Sequence, residues 1–491
     1  MTGGEPLASS RARADPYRRG VRWLAVAGLC VYLITAIFNV GIVAIDDYFQ
    51  VMARVVPAGA YTPTQVVAGT GVYNPIPVLM HLGVVRLASM LGILHPYNQL
   101  RFDQAFLALF SFLTMWYSGK SCFAPYAERE RGRQQLIFTG LLGFYFAAPL
   151  FLTRPMVESL VAPFLLLGAA LACRYWTSPA RWSLVLATFV FAAGATLRPQ
   201  AGIVALTLPM AVAFRRRWAD LVVLGLAGAA AFVVTGLIDA AIRGGFHESL
   251  RTYLTFNLQH SSDFGVSPWY TYLLLLVGAT LPPAFLAHYR GFPWLQRYEP
   301  LFPAVAVFGT FVAAHSLVPH KEERFMIPTL PLLLLLVTPL AAWLLEHGPR
   351  WRVVYFTGLN LALLPLMVLN PPQKTGMSLA RYLDAHADLR TVILADKAMF
   401  IPSVFITHPV AVQFEVPTTP PPCGTAVAAL ALGTTGRQLV RTAGFVRAAQ
   451  FAPGPLERLV VAINPRHNER RGPVDVYVGS CDTVGTPGPG D

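Results

Sequence analysis

Five titratable side chains stand next to one another between two long apolar runs, at 301–317 and 326–345. Each run approaches the roughly 20 apolar residues that a helix needs to cross a bilayer. An unpaired charge beside hydrocarbon costs on the order of several kcal/mol, so charges kept there commonly bind a ligand or carry out chemistry. Snorkelling at a helix end would explain one lysine or arginine, but two carboxylates and a histidine less well. The segment consists of His320, Lys321, Glu322, Glu323, Arg324 and Phe325.

Acidic and basic residues also interrupt the apolar pattern in two earlier places. Asp46 and Asp47 follow the first apolar run and lead into Gln50. Such a pair is typical either of a solvated helix end or of a functional site. Arg154 and Glu158 share a short turn between two apolar runs, where they form an ion pair or part of a site.

Two further places combine polar groups with the edge of an apolar run. Arg198 lies between two such runs and is either a snorkelling arginine or a functional one. The stretch 256–270 is rich in amides, hydroxyls and aromatic rings, and it includes Asn257 and Trp269. Sugars stack on aromatic rings and hydrogen-bond to amides, but Trp and Tyr at this depth are also ordinary residues of a membrane interface.

The composition indicates a membrane protein. Hydrophobic residues make up 55% of the 491 residues, and charged residues only 13%, against about 25% in soluble domains. The net charge of +13 does not indicate a nucleic-acid partner, because most arginines lie in short loops between apolar runs. The spacing of the cysteines does not match a metal site.

Twelve apolar runs between residues 23 and 370 are candidate membrane segments. Under the positive-inside rule the arginine-rich loops are cytoplasmic, which requires that one of the first three runs does not cross. We assign this to 77–94, as a re-entrant or interfacial helix; alternatively, the loop at 119–134 breaks the rule. We therefore expect about 11 transmembrane helices plus interfacial helices, with the unusual polar residues on the opposite, extracytoplasmic face. The arginine-rich loops are 129–133, 215–217, 290–297 and 350–352.

The character of the chain changes near residue 370. We expect a disordered cytoplasmic N-terminus at 1–20, a multi-span catalytic domain at 21–370, a C-terminal domain at 371–480 and a flexible tail at 481–491. Short apolar runs predict that the C-terminal domain is α/β or β-rich, and the count of 11 crossings predicts that it is extracytoplasmic. Cys423 and Cys481 are expected either to pair or to be two free thiols. The predicted buried strands are 392–395, 460–463 and 475–478.

Five of these stretches resemble the motifs of one family of mannosyltransferases, and they follow one another along the chain in the same order as the family's motifs. The segment 319–331 resembles its HKE-x-RF signature, and 46–50 resembles its first-loop PDE-[YV]-[FW]-Q motif. The stretches 153–158, 197–199 and 253–270 resemble its remaining elements. Members of this family build glycosylphosphatidylinositol anchors and the lumenal arms of N-glycan precursors. The resemblance implies an all-α polytopic GT-C-type glycosyltransferase that takes mannose from a polyprenyl or dolichyl phosphate carrier.

The chemistry of that donor assigns roles within the resemblance. Phosphate is a good leaving group, so one base on the acceptor hydroxyl suffices, whereas a glycosidase needs two carboxylates. By its alignment with the family's aspartate, Asp46 is the expected catalytic base. The residues expected to hold the acceptor or support the base are Asp47, Gln50, Glu158, Asn257 and Trp269. The residues expected to bind the donor phosphate are His320, Lys321, Arg324, Arg198 and Arg154. The residues expected to orient these cations are Glu322 and Glu323.

Attack from the face opposite the phosphate would invert the anomeric centre and give an α-mannoside. We expect no metal and no cofactor beyond the lipid-linked donor, and the partners to be the bilayer and a glycolipid or lipid-linked glycan acceptor. We expect the protein in the bacterial inner membrane or the endoplasmic reticulum membrane, with an extracytoplasmic active site. Two alternatives stay open: a GT-C transferase for another lipid-linked sugar, and a multi-span transporter, although no internal repeat of the transporter kind is visible.

Overall fold

Helices account for most of the chain up to residue 385, and a five-stranded sheet follows. Asp46, Asp47, Cys423 and Cys481 lie outside the residues that the structure describes, as does the predicted tail at 481–491. The first helix begins at Arg18, so the end of the segment predicted to be disordered is helical. The computed structural model describes residues 16–45, 48–57, 60–263, 265–279, 291–396, 399–414, 424–430, 445–463, 468 and 471–479.

In the first half of the chain, long apolar helices alternate with short helical turns. A π-helix covers Tyr48–Met52, and a 3₁₀-helix covers Pro199–Leu206. The α-helices are α1 (Arg18–Phe38), α2 (Ala53–Val55), α3 (Pro63–Gly69), α4 (Ile76–Met90), α5 (Pro96–Cys122), α6 (Glu128–Phe144), α7 (Ala148–Leu152), α8 (Val157–Thr177), α9 (Arg181–Leu197) and α10 (Thr207–Phe214).

The second half of the chain adds further helices to the bundle and then forms the C-terminal sheet with its helices. Its 3₁₀-helices are Glu299–Leu301, Glu323–Thr329 and Ser403–Phe405. Its α-helices are α11 (Trp218–Arg243), α12 (Glu248–His260), α13 (Thr271–Ala279), α14 (Trp294–Tyr298), α15 (Phe302–Leu317), α16 (Leu330–His347), α17 (Arg350–Leu369), α18 (Lys374–Ala385) and α19 (Pro455–Ile463).

Within the described residues, six helical stretches are long and apolar enough to cross a membrane. In a bilayer the backbone must satisfy its own hydrogen bonds, which is why such apolar segments form helices. Three shorter apolar stretches accompany them, among them α4, whose 15 residues extend about 22 Å against a hydrocarbon core of about 30 Å. The six stretches are Arg18–Phe38, Val157–Thr177, Trp218–Arg243, Trp294–Leu317, Glu323–His347 and Arg350–Ala385.

Helix α8 lies at the centre of the bundle and is largely buried. It packs against α5, α9, α15 and the 3₁₀-helix at Glu323–Thr329. Small residues allow this close approach: a Cβ at Gly168 would lie only 2.3 Å from the Phe191 ring of α9. Glu158 lies in the first turn of α8, which begins at Val157.

Helices α1 and α6 cross with glycine against glycine, since a Cβ at Gly143 would lie 2.8 Å from the Cα of Gly28. Gly143→Ala is therefore expected to destabilise the purified protein by about 1–3 kcal/mol through overpacking. Gly140→Ala, one turn earlier on α6, is the matched control, because its Cβ would meet only a Leu24 methyl at 3.8 Å. The measurement is the thermal unfolding midpoint of both variants; equal midpoints would contradict the expectation.

The C-terminal sheet is mixed, with strand order β2-β1-β3-β5-β4. Strand β1 runs parallel to β2 and β3, and β5 runs antiparallel to β3 and β4. Helix α18 packs Leu379, Ala380 and Leu383 into the core formed on one face of the sheet. The strands are β1 (Thr391–Leu394), β2 (Ala411–Gln413), β3 (Thr425–Leu430), β4 (Phe445–Phe451) and β5 (Val474–Gly479).

The prediction of a strand at 460–463 was wrong, because these residues end helix α19. A short apolar run has no period that separates a helix from a strand. The helix begins with Pro455, which is favourable in the first turn. The buried Glu457 accepts hydrogen bonds from the backbone N–H of Gln373 (2.6 Å) and Gly454 (3.3 Å), which fixes the helix against the start of α18.

Candidate active site

The 320–325 segment is the connection between helices α15 and α16. Helix α15 ends at Leu317, the backbone at Val318 and Glu322 is extended, and a 3₁₀-helix begins at Glu323. This connection places the charged side chains at the ends of two apolar helices.

Glu322 is the centre of an ionic network in this segment. Its Oε1 accepts hydrogen bonds from His320 Nε2 (2.9 Å) and Arg324 Nη2 (3.0 Å), and its Oε2 lies 2.7 Å from Arg324 Nε. Burial raises the pKa of Glu322, but the hydrogen bonds and charges of Arg324 and His320 outweigh it and leave the pKa below its usual value of 4.5. Glu322 thus contacts both His320 and Arg324, whereas Glu323 is exposed and forms no ion pair with another described residue.

The lowered pKa of Glu322 predicts an acid-sensitive contribution to stability. This contribution is present above the unfolded pKa near 4.5 and is lost as the pH falls through the lower folded pKa. Below pH 4.5 the thermal midpoint of the wild type should therefore fall more steeply than that of Glu322→Gln. Glu323→Gln is the control and should keep the wild-type pH profile; identical profiles for Glu322→Gln and the wild type would refute the assignment.

Lys321 joins the segment to the preceding polar stretch. Its Nζ donates to the backbone oxygens of Ser267 (3.0 Å) and Val318 (2.6 Å). The Ser267 N–H donates to Pro319 O (3.0 Å), and His320 Nδ1 lies 3.3 Å from Gly265 O. Burial lowers the pKa of Lys321, and the lysine forms no ion pair with a described carboxylate. Residues 265–267 and 318–321 are therefore joined by hydrogen bonds, and they contain a lysine that has no carboxylate partner within the described part of the chain.

Arg198 reaches the same place from helix α9. Pro199 follows it, which ends the helix and leaves Arg198 extended. Its guanidinium donates to Glu158 Oε1, with both side chains buried, and lies 4.8 Å from the centroid of the Phe325 ring. The Arg324 guanidinium lies 5.4 Å from the same centroid. Phe325 thus brings two guanidinium groups together, and Glu158, expected near the acceptor, is placed as the partner of Arg198.

Three residues at this site carried no recognisable sequence signal. Tyr272 donates from its hydroxyl to Glu322 O (3.2 Å), and His315 stacks on Phe311 with ring centroids 4.0 Å apart. Burial raises the pKa of Tyr253, on which the charges of Arg198 and Glu158 also act. The tyrosines looked like ordinary interface aromatics, and a histidine within an apolar helix is more often structural than functional.

Arg154 contacts a different set of residues. It is fully buried, donates to Asn39 Oδ1, and donates from Nη1 to Gly41 O (3.2 Å). In the amide orientation that satisfies both groups, Gln104 also accepts from Arg154 Nη1 (3.1 Å). These contacts place Arg154 beside the chain that leads into residues 46–50, and its assignment to the donor phosphate stays a prediction.

The remaining predicted residues occupy two regions. Gln50 lies half-buried in the π-helix at Tyr48–Met52, directly after the acidic pair. Asn257 donates to Tyr253 O (2.8 Å) on α12, and Trp269 is 64% exposed. Among the described residues, no three His, Cys, Asp or Glu side chains are close enough to hold a metal ion.

This arrangement can bind an anion. Arg198 and Arg324 are each held by a carboxylate, Lys321 is held by backbone carbonyls, and all three lie on or beside one short connection. Cations fixed in this way stabilise negative charge as it develops on a phosphate without having to reorganise.

Comparison with known proteins identifies the family to which this constellation belongs. Residues 70–405, more than half of the chain, match the Alg9-like mannosyltransferase family. The chain belongs to that family. The family resemblance found in the sequence is therefore confirmed, and the match includes the 320–325 segment, Arg198 and Glu158.

Two curated members of this kind match part of the chain. GPI mannosyltransferase 3 from Eremothecium gossypii is 30% identical over 185 residues, which are 33% of this chain and 31% of that protein. Alpha-1,2-mannosyltransferase ALG9 from Mus musculus is 30% identical over 154 residues, 27% of this chain and 24% of that protein. The matched part thus spans about a third or less of each relative.

The fold itself has a solved counterpart. ArnT from Cupriavidus metallidurans bound to undecaprenyl phosphate superposes with a TM-score of 0.55 at 13% identity, covering 95% of this chain and 99% of that one. Apo ArnT gives a TM-score of 0.52 at 14% identity. At this identity the likeness shows the fold alone, and it confirms the prediction of a mostly helical, integral membrane protein of GT-C type.

Proposed function

We propose that this member of the Alg9-like family is an inverting α-mannosyltransferase. It moves mannose from a polyprenyl or dolichyl phosphate carrier to a hydroxyl of a glycolipid or lipid-linked glycan. The observation that carries the proposal is the convergence of Lys321, Arg324 and Arg198 on the connection between two apolar helices. A lipid phosphate needs such cations where the membrane ends.

An apolar cavity supports a lipid carrier. Its volume is about 520 Å³, and α4, α8, α9 and α11 contribute its walls. Leu197 lines this cavity and directly precedes Arg198. A phosphate near Arg198 would therefore leave the first isoprene units of its carrier beside an apolar surface, where burial of hydrocarbon stabilises binding.

The reaction needs one proton acceptor. Asp46 is the proposed base that removes the acceptor hydroxyl proton, with Asp47 and Gln50 beside it. The hydroxyl oxygen attacks the anomeric carbon as the bond to the phosphate oxygen breaks, and the phosphate leaves with the electron pair. Lys321, Arg324 and His320 stabilise the developing charge, and Arg198, held by Glu158, supports them.

We further propose that the site faces the extracytoplasmic side, in the bacterial inner membrane or the endoplasmic reticulum, with about 11 crossings and a C-terminal unit on the same side. The Arg198–Glu158 pair and the 265–272 stretch would then lie where the water–lipid boundary admits both substrates. The acceptor side is assigned to Asn257 and Trp269.

The test uses membranes that contain the full-length protein. They are supplied with polyprenyl-phosphate mannose, and the lipid-linked products are analysed by mass spectrometry for one added hexose and for α-configuration. If only a glucose or arabinose carrier supported transfer, the donor sugar would be that sugar and not mannose. Movement of the carrier without a covalent product would indicate a transporter instead, which the family membership disfavours.

A further inference from the structure

The chain that leads into residues 46–50 forms hydrogen bonds with residues at and just after the end of helix α17. The fully buried Asn39 donates from Nδ2 to Met367 O (2.5 Å) and Asn370 O (3.0 Å). The Ile42 N–H donates to Pro372 O (3.1 Å). At Gly41 the approach is so close that a Cβ would lie 2.3 Å from Pro372 O.

The chain that leaves residues 46–47 is held by the same part of the protein. The buried hydroxyl of Tyr48 accepts from the Val404 N–H (3.2 Å) and lies 3.4 Å from Ser403 Oγ. The Phe400 ring packs edge-on against Tyr48 and Phe49, with centroids 4.9 Å and 5.7 Å apart. These contacts fix the first turn after the acidic pair.

The two sets of contacts confine a very short piece of chain. Only residues 43–47 separate the Ile42 contact from the Tyr48 contact. Because so few residues intervene, a shift of either held end occurs only a few chain positions from the acidic pair. Arg154 supports the entry side from within the bundle through Asn39 and Gly41.

We infer that the 367–405 segment is a positioning element for the catalytic loop. This inference rests on the proposed function, because the loop matters only if Asp46 is the base. Met367, Asn370, Pro372, Phe400 and the 403–404 turn act through the loop and need not touch substrate. Displacing a reacting group by about 1 Å can cost about 10²-fold in rate. The C-terminal domain at 371–480 would therefore contribute to catalysis through the residues that hold this loop.

The test compares Phe400→Ala and Tyr48→Phe with wild-type full-length protein. Both variants should lower kcat for mannosyl transfer about 10-fold or more while the KM for the donor stays unchanged, because the donor phosphate is bound elsewhere. Phe400→Tyr should restore most of the rate, since it keeps the ring. Phe451→Ala is the matched control: Phe451 packs on Tyr382 (5.8 Å) within the same unit and should leave kcat unchanged.

A second measurement works even without activity. Backbone hydrogen exchange of residues 42–56 should be faster in Phe400→Ala than in the wild type and in Phe451→Ala. If exchange there is unchanged, or equally fast in the control, the inference is overturned whatever the activity. If exchange responds but wild-type membranes transfer no mannose, the loop is anchored as described and the proposed function is what fails.

Discussion

Asp46→Asn is expected to reduce mannosyl transfer by about 10³-fold, within the range that general bases contribute. The amide keeps the shape of the side chain but accepts no proton at neutral pH. The donor phosphate is assigned to the 320–325 segment, so binding of the polyprenyl phosphate should persist. The measurement is kcat with saturating donor and acceptor, beside donor binding by the same preparation.

Asp47→Asn is the matched control for this prediction, because it makes the same chemical change one residue away. It should lower the rate much less and should raise the KM for the acceptor if Asp47 holds that substrate. Near-normal kcat in Asp46→Asn would remove Asp46 from its role. The reverse order of effects would move the role of base to Asp47.

The 320–325 segment could be predicted as a candidate site from the sequence, because charge beside hydrocarbon is costly and is commonly kept for function. Glu322 bridges His320 and Arg324 over two residues, a contact within reach of local spacing. The pairing of Arg198 with Glu158 was less accessible, since the two residues are 40 positions apart and meet only because α8 and α9 pack together.

Other features depend on the tertiary structure alone. Arg154 and Glu158 lie on one turn, yet Arg154 points to Asn39 and Glu158 to Arg198. Asn39 ends helix α1 without any pattern around it, and its partners Met367 and Asn370 are more than 300 residues away. No periodicity or spacing reports a contact of this kind, so the anchoring of the first loop could not be predicted.

Lys321→Ala is expected to lower kcat/KM for the donor about 10²-fold, comparable to removing one donor from a preorganised anion site. Arg198 and Arg324 are already neutralised by carboxylates, whereas Lys321 is held by two backbone oxygens. Burial disfavours its charge and lowers its pKa, and a phosphate would restore the solvation that is lost. Lys321→Arg should recover only part of the activity, because a planar guanidinium does not reproduce a compact ammonium.

The control for Lys321→Ala is Lys120→Ala, which removes a lysine that lies over the Trp116 ring at 4.7 Å, far along the chain from the charged connection. Both variants lose one positive charge, so only a local role of Lys321 separates them. Binding of polyprenyl phosphate should weaken in Lys321→Ala and stay constant in Lys120→Ala. Unchanged donor affinity and turnover in Lys321→Ala, with the thermal midpoint preserved, would show that the leaving phosphate binds to other groups.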